Sequence, residues 1–402
     1  MKEPIMKVKR NYGIDMLRLI AMFFVVILHV LGHGGAMKNA TGYNYNVSSL
    51  LLIVAYCAVN CYAIISGYVG YKEEGNYHYT KYLKFWIPVF FYSVGITIIF
   101  YVINSGSVGI KEIIWAFFPV TTYEYWYVNA YTALFFLIPW INRLIQNITE
   151  KELNRLIFVL FMVFSVYLTF STWFADTFTL GGGYDFAWLI ILYIVGAWIK
   201  KNRINEKWRV SSWGIMITIC IAVTWLWETF APVAKRLFVS YISVTIVLIA
   251  VGMVAIFSRL QLSSKMISIV RFFSPAAVGV YLIHTQTWVW RGPVSYTHLA
   301  QLKINLRYKE FLEYKNVFCD SNKRILTEII SNYFYFSLFY CDMSQFKNVF
   351  QKLYSIYKEI KIEFVTENIF SKWLLFLLKN NREREIKYSI KFYRAIKKCI
   401  RI

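Results

Sequence analysis

Acidic side chains are scarce in this sequence. Its 402 residues include 22 Asp and Glu against 44 Lys and Arg, and charged residues of both signs make up only 16% of the chain. Soluble domains carry about a quarter of their residues as charges, so this composition excludes an ordinary water-soluble globular body. Cysteine is also sparse: Cys57 and Cys61 lie four apart, while Cys220, Cys319, Cys341 and Cys399 are scattered. None of these spacings makes a disulfide framework or a zinc motif, and all six are read as reduced. There are five histidines and no HExxH. His29 and His33 stand one turn apart without a third ligand, so no metal is expected. Gly181-Gly182-Gly183 precedes no GxxxxGK and reads as a turn rather than a phosphate loop. The net charge of +22 points to no nucleic acid, because the aromatic residues sit in apolar runs and are not interleaved with basic ones.

What the chain has in quantity is apolar surface. It is 58% hydrophobic and 19% aromatic, with a mean hydropathy of +0.46, which describes a polytopic membrane protein. Apolar runs near 12–33, 48–70, 85–104, 126–142, 156–174, 186–199, 211–227, 238–257 and 273–290 predict nine crossings in an all-α transmembrane bundle. The first run contains Asp15 and Arg18 and no small-residue cleavage site, so it reads as a retained helix and not a signal peptide. Segments on the N-terminal side of the bundle hold eighteen Lys and Arg, against four on the other side. The positive-inside rule then predicts a cytoplasmic N-terminus.

Three ionisable residues of the first run share a face. At 100° per residue, Asp15, Arg18 and His29 point the same way, with His29 roughly 21 Å along the helix from Asp15. Ionisable groups at such depth are expensive in lipid and mark functional sites. A histidine, with an unperturbed pKa of about 6.5, suits a general base. A guanidinium suits the phosphates of a nucleotide-bearing donor. Arg18 also stands at i, i+3 from Asp15, the spacing of an intrahelical ion pair.

The text changes near residue 295. Residues 302–402 hold 20 Lys and Arg and 10 Asp and Glu, so a quarter of the chain carries nearly half of its formal charge. The expected division is a transmembrane domain, 1–295, and a basic helical tail, 296–402, whose end from Lys379 to Arg401 is amphipathic. Nine crossings from a cytoplasmic start would leave this tail outside, against the charge rule. Either a crossing is miscounted or the tail is foreign. Pro293-Val294-Ser295-Tyr296-Thr297-His298-Leu299 resembles translated adapter sequence at the edge of an assembled contig, the mark of an artificial join.

Read in order, the pieces of the membrane part resemble the acyltransferase 3 family of membrane O-acyltransferases over residues 10–290. They are Gly13-Ile14-Asp15-Met16-Leu17-Arg18 with His29, then Ile65-Ser66-Gly67-Tyr68 and Lys81-Tyr82-Leu83-Lys84-Phe85-Trp86-Ile87-Pro88. After these come Tyr125-Trp126-Tyr127-Val128 with Tyr131 and Pro139, Tyr193-Ile194-Val195-Gly196, and Ser274 with Gly279-Val280-Tyr281-Leu282-Ile283-His284. The resemblance implies about ten helices in a bacterial plasma membrane. It implies an acyl-CoA donor, acetyl-CoA above all, and an acceptor hydroxyl on a cell-surface glycan or lipid-linked sugar. On that reading His29 and Asp15 are catalytic, Arg18, Lys81 and Lys84 meet the donor, and Trp126, Tyr131, Tyr281 and His284 line the substrate cavity. Lys81 and Lys84 stand where the family often has Arg, and the final helix expected after His284 is either absent or replaced by the tail. The tail weakly resembles the C-terminal end of a family 2 glycosyltransferase. The alternative function is a non-catalytic polysaccharide exporter or translocation partner.

The charge asymmetry predicts that a single cysteine placed at Lys207, in a cysteine-free background, reacts with a membrane-impermeant maleimide only after the membrane is opened. Labelling in intact cells would reverse the orientation.

Overall fold

The structure is a computed structural model, which describes residues 10–32, 36–73, 79–103, 108–171, 174–231, 234 and 236–291. His33, the junction at 293–299 and the whole tail expected at 296–402 lie outside the described residues.

All regular structure in the described residues is helical. The main segments are α1 (Tyr12–Gly32), α2 (Gly42–Gly70, broken at Cys57), α3 (Lys81–Ile103), α4 (Trp126–Asn147), α5 (Glu150–Ser171) and α6 (Phe186–Lys201). They are followed by α7 (Val210–Phe230), α8 (Val244–Arg259), α9 (Ser264–Phe273) and α10 (Ala276–His284). Each apolar run expected from the sequence coincides with one of these. Among the described residues, six helices are long and apolar enough to cross a membrane, or seven if α9 and α10, bent by 41°, count as one span. The other two of the nine expected crossings fall on α6 and α8, which have 16 residues each, about 24 Å at 1.5 Å per residue, against a hydrocarbon thickness of about 30 Å.

Polar side chains tie the helix ends of the basic side to one another. Asn11 accepts from Ile14 N–H at the start of α1 and donates to the Ser258 carbonyl at the end of α8. Lys200 donates to the Tyr71 carbonyl, and Lys201 to those of Ile145 and Ile148. Cations placed on C-terminal carbonyls satisfy acceptors that have no partner within their own helix. Thr149 and Glu152 form a capping box that starts α5 directly after α4.

Two glycines set the closest helix contact. A methyl group on Gly67 of α2 would overlap the Tyr193 carbonyl of α6, and one on Gly196 of α6 would overlap the Ile64 carbonyl of α2. The Ile65–Tyr68 and Tyr193–Gly196 motifs are thus two sides of one small-residue joint, the usual means of close packing where lipid supplies no hydrophobic drive between helices. Around this joint α1 packs on α2, α8 and α10, and α3 packs on α10. The outer faces of α3 and α7 expose Ile87, Phe91, Ile215 and Ile219, as lipid-facing surfaces do.

The approach to α8 departs from expectation. The helix predicted from residue 238 starts at Val244, and Val239, Tyr241, Ile242 and Ser243 ahead of it are buried without being helical. Such backbone is tolerated at membrane depth only if protein groups satisfy it. Asn60 donates to the Tyr241 carbonyl (2.7 Å), Ser165 to that of Ile242 (2.8 Å), and Val244 N–H donates to Thr169 Oγ1 (3.1 Å). Ser165 lies in a π-helical turn of α5, Met162–Tyr167. Such turns often sit at functional sites.

Replacing Gly196 or Gly67 with Ala is expected to lower stability by about 1–3 kcal/mol through overpacking. Gly214→Ala on α7, where a Cβ meets nothing within 4 Å, is expected to be neutral or to stabilise by up to about 1 kcal/mol. Thermal unfolding in detergent checks this; equal shifts at all three positions would remove the joint.

Candidate active site

Arg18, Met22, Val25 and His29 form one stripe along α1 at helical spacing, and the stripe passes two cavities. The first, of about 680 Å³, is lined by Met22, Val25 and His29 together with Trp126, Tyr281 and Arg236. The second, of about 630 Å³, is lined by Arg18 with Lys72, Lys81, Arg143, Ser66 and Tyr131.

His29 is paired across the bundle with His284, its Nδ1 lying 2.7 Å from His284 Nε2. His284 Nδ1 lies 2.6 Å from the Val280 carbonyl oxygen, which can only accept. His284 therefore carries its proton on Nδ1 when neutral, and its Nε2 accepts from His29 Nδ1–H. The consequence is a defined tautomer for His29, with Nε2 as the basic nitrogen. Trp290 stands edge-on to the His29 ring at 5.1 Å.

The rest of the first cavity is aromatic. Trp126 meets Tyr184 at 4.8 Å and lies nearly parallel to Tyr241 at 6.4 Å, and Tyr56 meets Tyr241 at 5.1 Å. Tyr241 reaches this wall because the irregular segment before α8 carries it inward. Glu124, also on the wall, accepts from Thr287 N–H at 2.7 Å.

The second cavity has a different character. Asp15 is buried and accepts from Arg10 at 2.5 Å and Arg18 at 2.6 Å. A carboxylate buried so deep needs this pairing, and the pairing in turn fixes the guanidinium at the cavity wall. Tyr62 donates to the Arg18 carbonyl at 2.6 Å. Tyr127 of the first cavity stacks on Tyr131 of the second at 6.2 Å, and Phe85 meets Tyr131 at 4.9 Å. One layer of aromatic rings separates the two spaces.

Of the residues expected at the site, His29, Trp126 and Tyr281 line the first cavity, and His284 holds His29. Arg18, Lys81 and Tyr131 line the second, Lys84 lines neither, and Asp15 sits with the arginines, away from His29. Sequence reasoning passed over Lys72, Arg143 and Arg236. Loop cations are already accounted for by topology, so their convergence on cavities leaves no local mark.

The acyltransferase 3 model, described as an acyltransferase domain, matches residues 11–300. The chain belongs to this family. It is a membrane-embedded acyltransferase, and membership implies acyl-CoA-dependent activity. No curated protein and no solved structure matches the chain. The family match ends at residue 300, and nothing supports the glycosyltransferase likeness of the tail. Within the acyltransferase, the first and last motifs of the family region meet through His29 and His284.

Replacing His284 with Phe leaves the His29 Nδ1–H without its acceptor. A buried donor so stranded costs about 1–3 kcal/mol, and the expected loss in kcat is roughly 5- to 150-fold. Gln at this position, whose carbonyl accepts, is expected to restore part of it. A His284→Phe enzyme with normal kcat would show that the pair is packing alone.

Proposed function

We propose that this acyltransferase moves an acetyl or similarly short acyl group from acyl-CoA to a hydroxyl of a cell-surface glycan or lipid-linked sugar. In this reading it is a multi-pass protein of a bacterial plasma membrane with a cytoplasmic N-terminus. The observation that carries the reading is the tautomer-fixed His29 in an aromatic cavity, one layer of rings away from a cavity lined by four cations. Guanidinium and ammonium groups at Arg18, Lys72, Lys81 and Arg143 suit the phosphates of the donor. Trp126 and its tyrosine neighbours offer flat apolar faces with polar edges, which suit a sugar ring.

His29 Nε2 takes the proton of the acceptor hydroxyl as its oxygen attacks the thioester carbonyl. The carbon–sulfur bond then breaks and the proton passes from His29 to the leaving thiolate. The protonated ring keeps its bond to His284 throughout, so no side chain has to turn during the step. Asp15 is a positioning residue that holds Arg18. A passive conduit for polysaccharide has no use for an oriented proton acceptor, and this favours the enzyme over the exporter.

Transfer of labelled acetyl from acetyl-CoA to isolated envelope glycan by the purified protein tests the proposal. His29→Ala is expected to lose about 10²- to 10⁴-fold in rate, whereas Arg18→Ala is expected to raise the KM for acetyl-CoA with a smaller effect on kcat. Near-normal transfer by His29→Ala would remove the assignment of the base. An unchanged acetyl-CoA dependence in Arg18→Ala would leave that residue as half of an ion pair only.

A further inference from the structure

The first cavity holds one feature that proton transfer does not use. Arg236, on the irregular segment between α7 and α8, lines it alongside Trp126, Tyr184 and Tyr241 and is exposed at its rim. Its position is built. Trp227 donates to the Ala234 carbonyl (3.1 Å), Val239 N–H to the Arg236 carbonyl (3.0 Å), and Ser240 to the Gly182 carbonyl (3.0 Å). Among the described residues both ion pairs belong to Asp15, and the Arg236 guanidinium has no carboxylate partner. Two carboxylates of this region are engaged by other groups: Glu124, on the wall of the same cavity, caps Thr287, and the buried Glu228 accepts from Ser49 at 2.7 Å and from Tyr45 at 3.4 Å. Arg236 thus puts a cation with no ion-pair partner among the described residues at the mouth of a cavity whose walls are otherwise mostly aromatic and apolar, with Glu124 and His29 as its other ionisable groups. A neutral sugar would gain little from it, while an oxyanion would gain a two-pronged, charge-assisted contact.

We infer that the acceptor carries an oxyanion, a carboxylate or a phosphate, which Arg236 binds while the sugar ring lies against Trp126 and Tyr184. Arg236 is then the specificity-determining residue for an acidic glycan or phosphorylated sugar. The inference rests on reading the first cavity as the acceptor site. With the anion held at the rim, the ring is directed inward and its hydroxyls towards His29. Losing a hydrogen bond to a charged group corresponds to roughly a 10- to 150-fold change in affinity.

Calorimetric titration of the purified full-length protein with three probes tests this without any acyl transfer. The probes are trigalacturonate, N-acetylglucosamine 1-phosphate and uncharged maltotriose. At least one anionic probe is expected to bind ten-fold or more tightly than maltotriose. Arg236→Gln is expected to abolish that preference and Arg236→Lys to keep part of it. Preference for trigalacturonate identifies the carboxylate source, and preference for the sugar phosphate identifies the phosphate. Equal binding of all probes, no binding of the anionic ones, or a preference that survives in Arg236→Gln would each overturn the inference. Acetyl transfer to neutral and acidic acceptors with equal efficiency would overturn it and leave the acyltransferase reading intact. Arg236-dependent binding with no acetyl transfer to any acceptor would leave the anion site intact and remove that reading.

Discussion

Backbone that leaves the helix inside an apolar bundle must find its hydrogen-bond partners within the protein. The segment before α8 meets this constraint through Asn60, Ser165 and Thr169, and the first cavity depends on the result. Asn60 is itself held, accepting from Trp188 Nε1 at 3.2 Å, so α6 steadies the residue on α2 that steadies Tyr241. Ser165 faces the segment from the π-helical turn of α5, and Thr169, one turn on, donates back to the Ser165 carbonyl. With its polar groups satisfied, the segment brings Tyr241 to the cavity wall and Arg236 to its rim. A continuous helix from residue 238 would have turned part of that surface towards lipid.

Charge is distributed by the same economy. The buried Asp15 is tolerable because two arginines share it, and the net charge of that cluster is positive where it meets the second cavity. The first cavity contains no such cluster. There two imidazoles stand in series, with the Val280 carbonyl at one end and His29 Nε2, the proposed base, at the other. An imidazole partner adds no negative charge next to His29, where a carboxylate in its place would repel the acidic acceptor we propose; Glu124, the carboxylate on this wall, is engaged by Thr287 N–H.

Much of this was legible in the sequence, and the part that was not has a physical reason. Apolar runs located the helices, and 100° periodicity put Asp15, Arg18 and His29 on one face, because both are properties of a single helix. The i, i+3 spacing also signalled the Asp15–Arg18 pair. The contact between His29 and His284 spans 255 residues and has no periodic signature, so only the family resemblance pointed to His284 at the cavity. Tyr131 was expected in the substrate cavity and lies on the other side of the aromatic layer, a shift of one helical turn from Tyr127 that no hydropathy pattern distinguishes. The segment 238–243 read as helix because Val239, Tyr241 and Ile242 are as apolar as a span. Its true conformation depends on Asn60 and Ser165, far away in the chain.

The layer made by Phe85, Tyr127 and Tyr131 places a condition on any transfer between the two cavities. If donor and acceptor enter from different sides, the reacting carbonyl has to pass these rings to reach His29, and water must not follow it. Aromatic rings suit that task, since they pack against an extended apolar arm and rotate about two torsions without exposing unsatisfied polar groups. The Tyr62 hydroxyl, from a ring lining the first cavity, bonds the Arg18 carbonyl. The backbone of the cation site and the wall of the aromatic cavity are therefore joined by one side chain. On the proposed mechanism, movement of Arg18 towards a bound donor phosphate would be transmitted to that ring, which couples the proposed donor site to the wall that carries the proposed base.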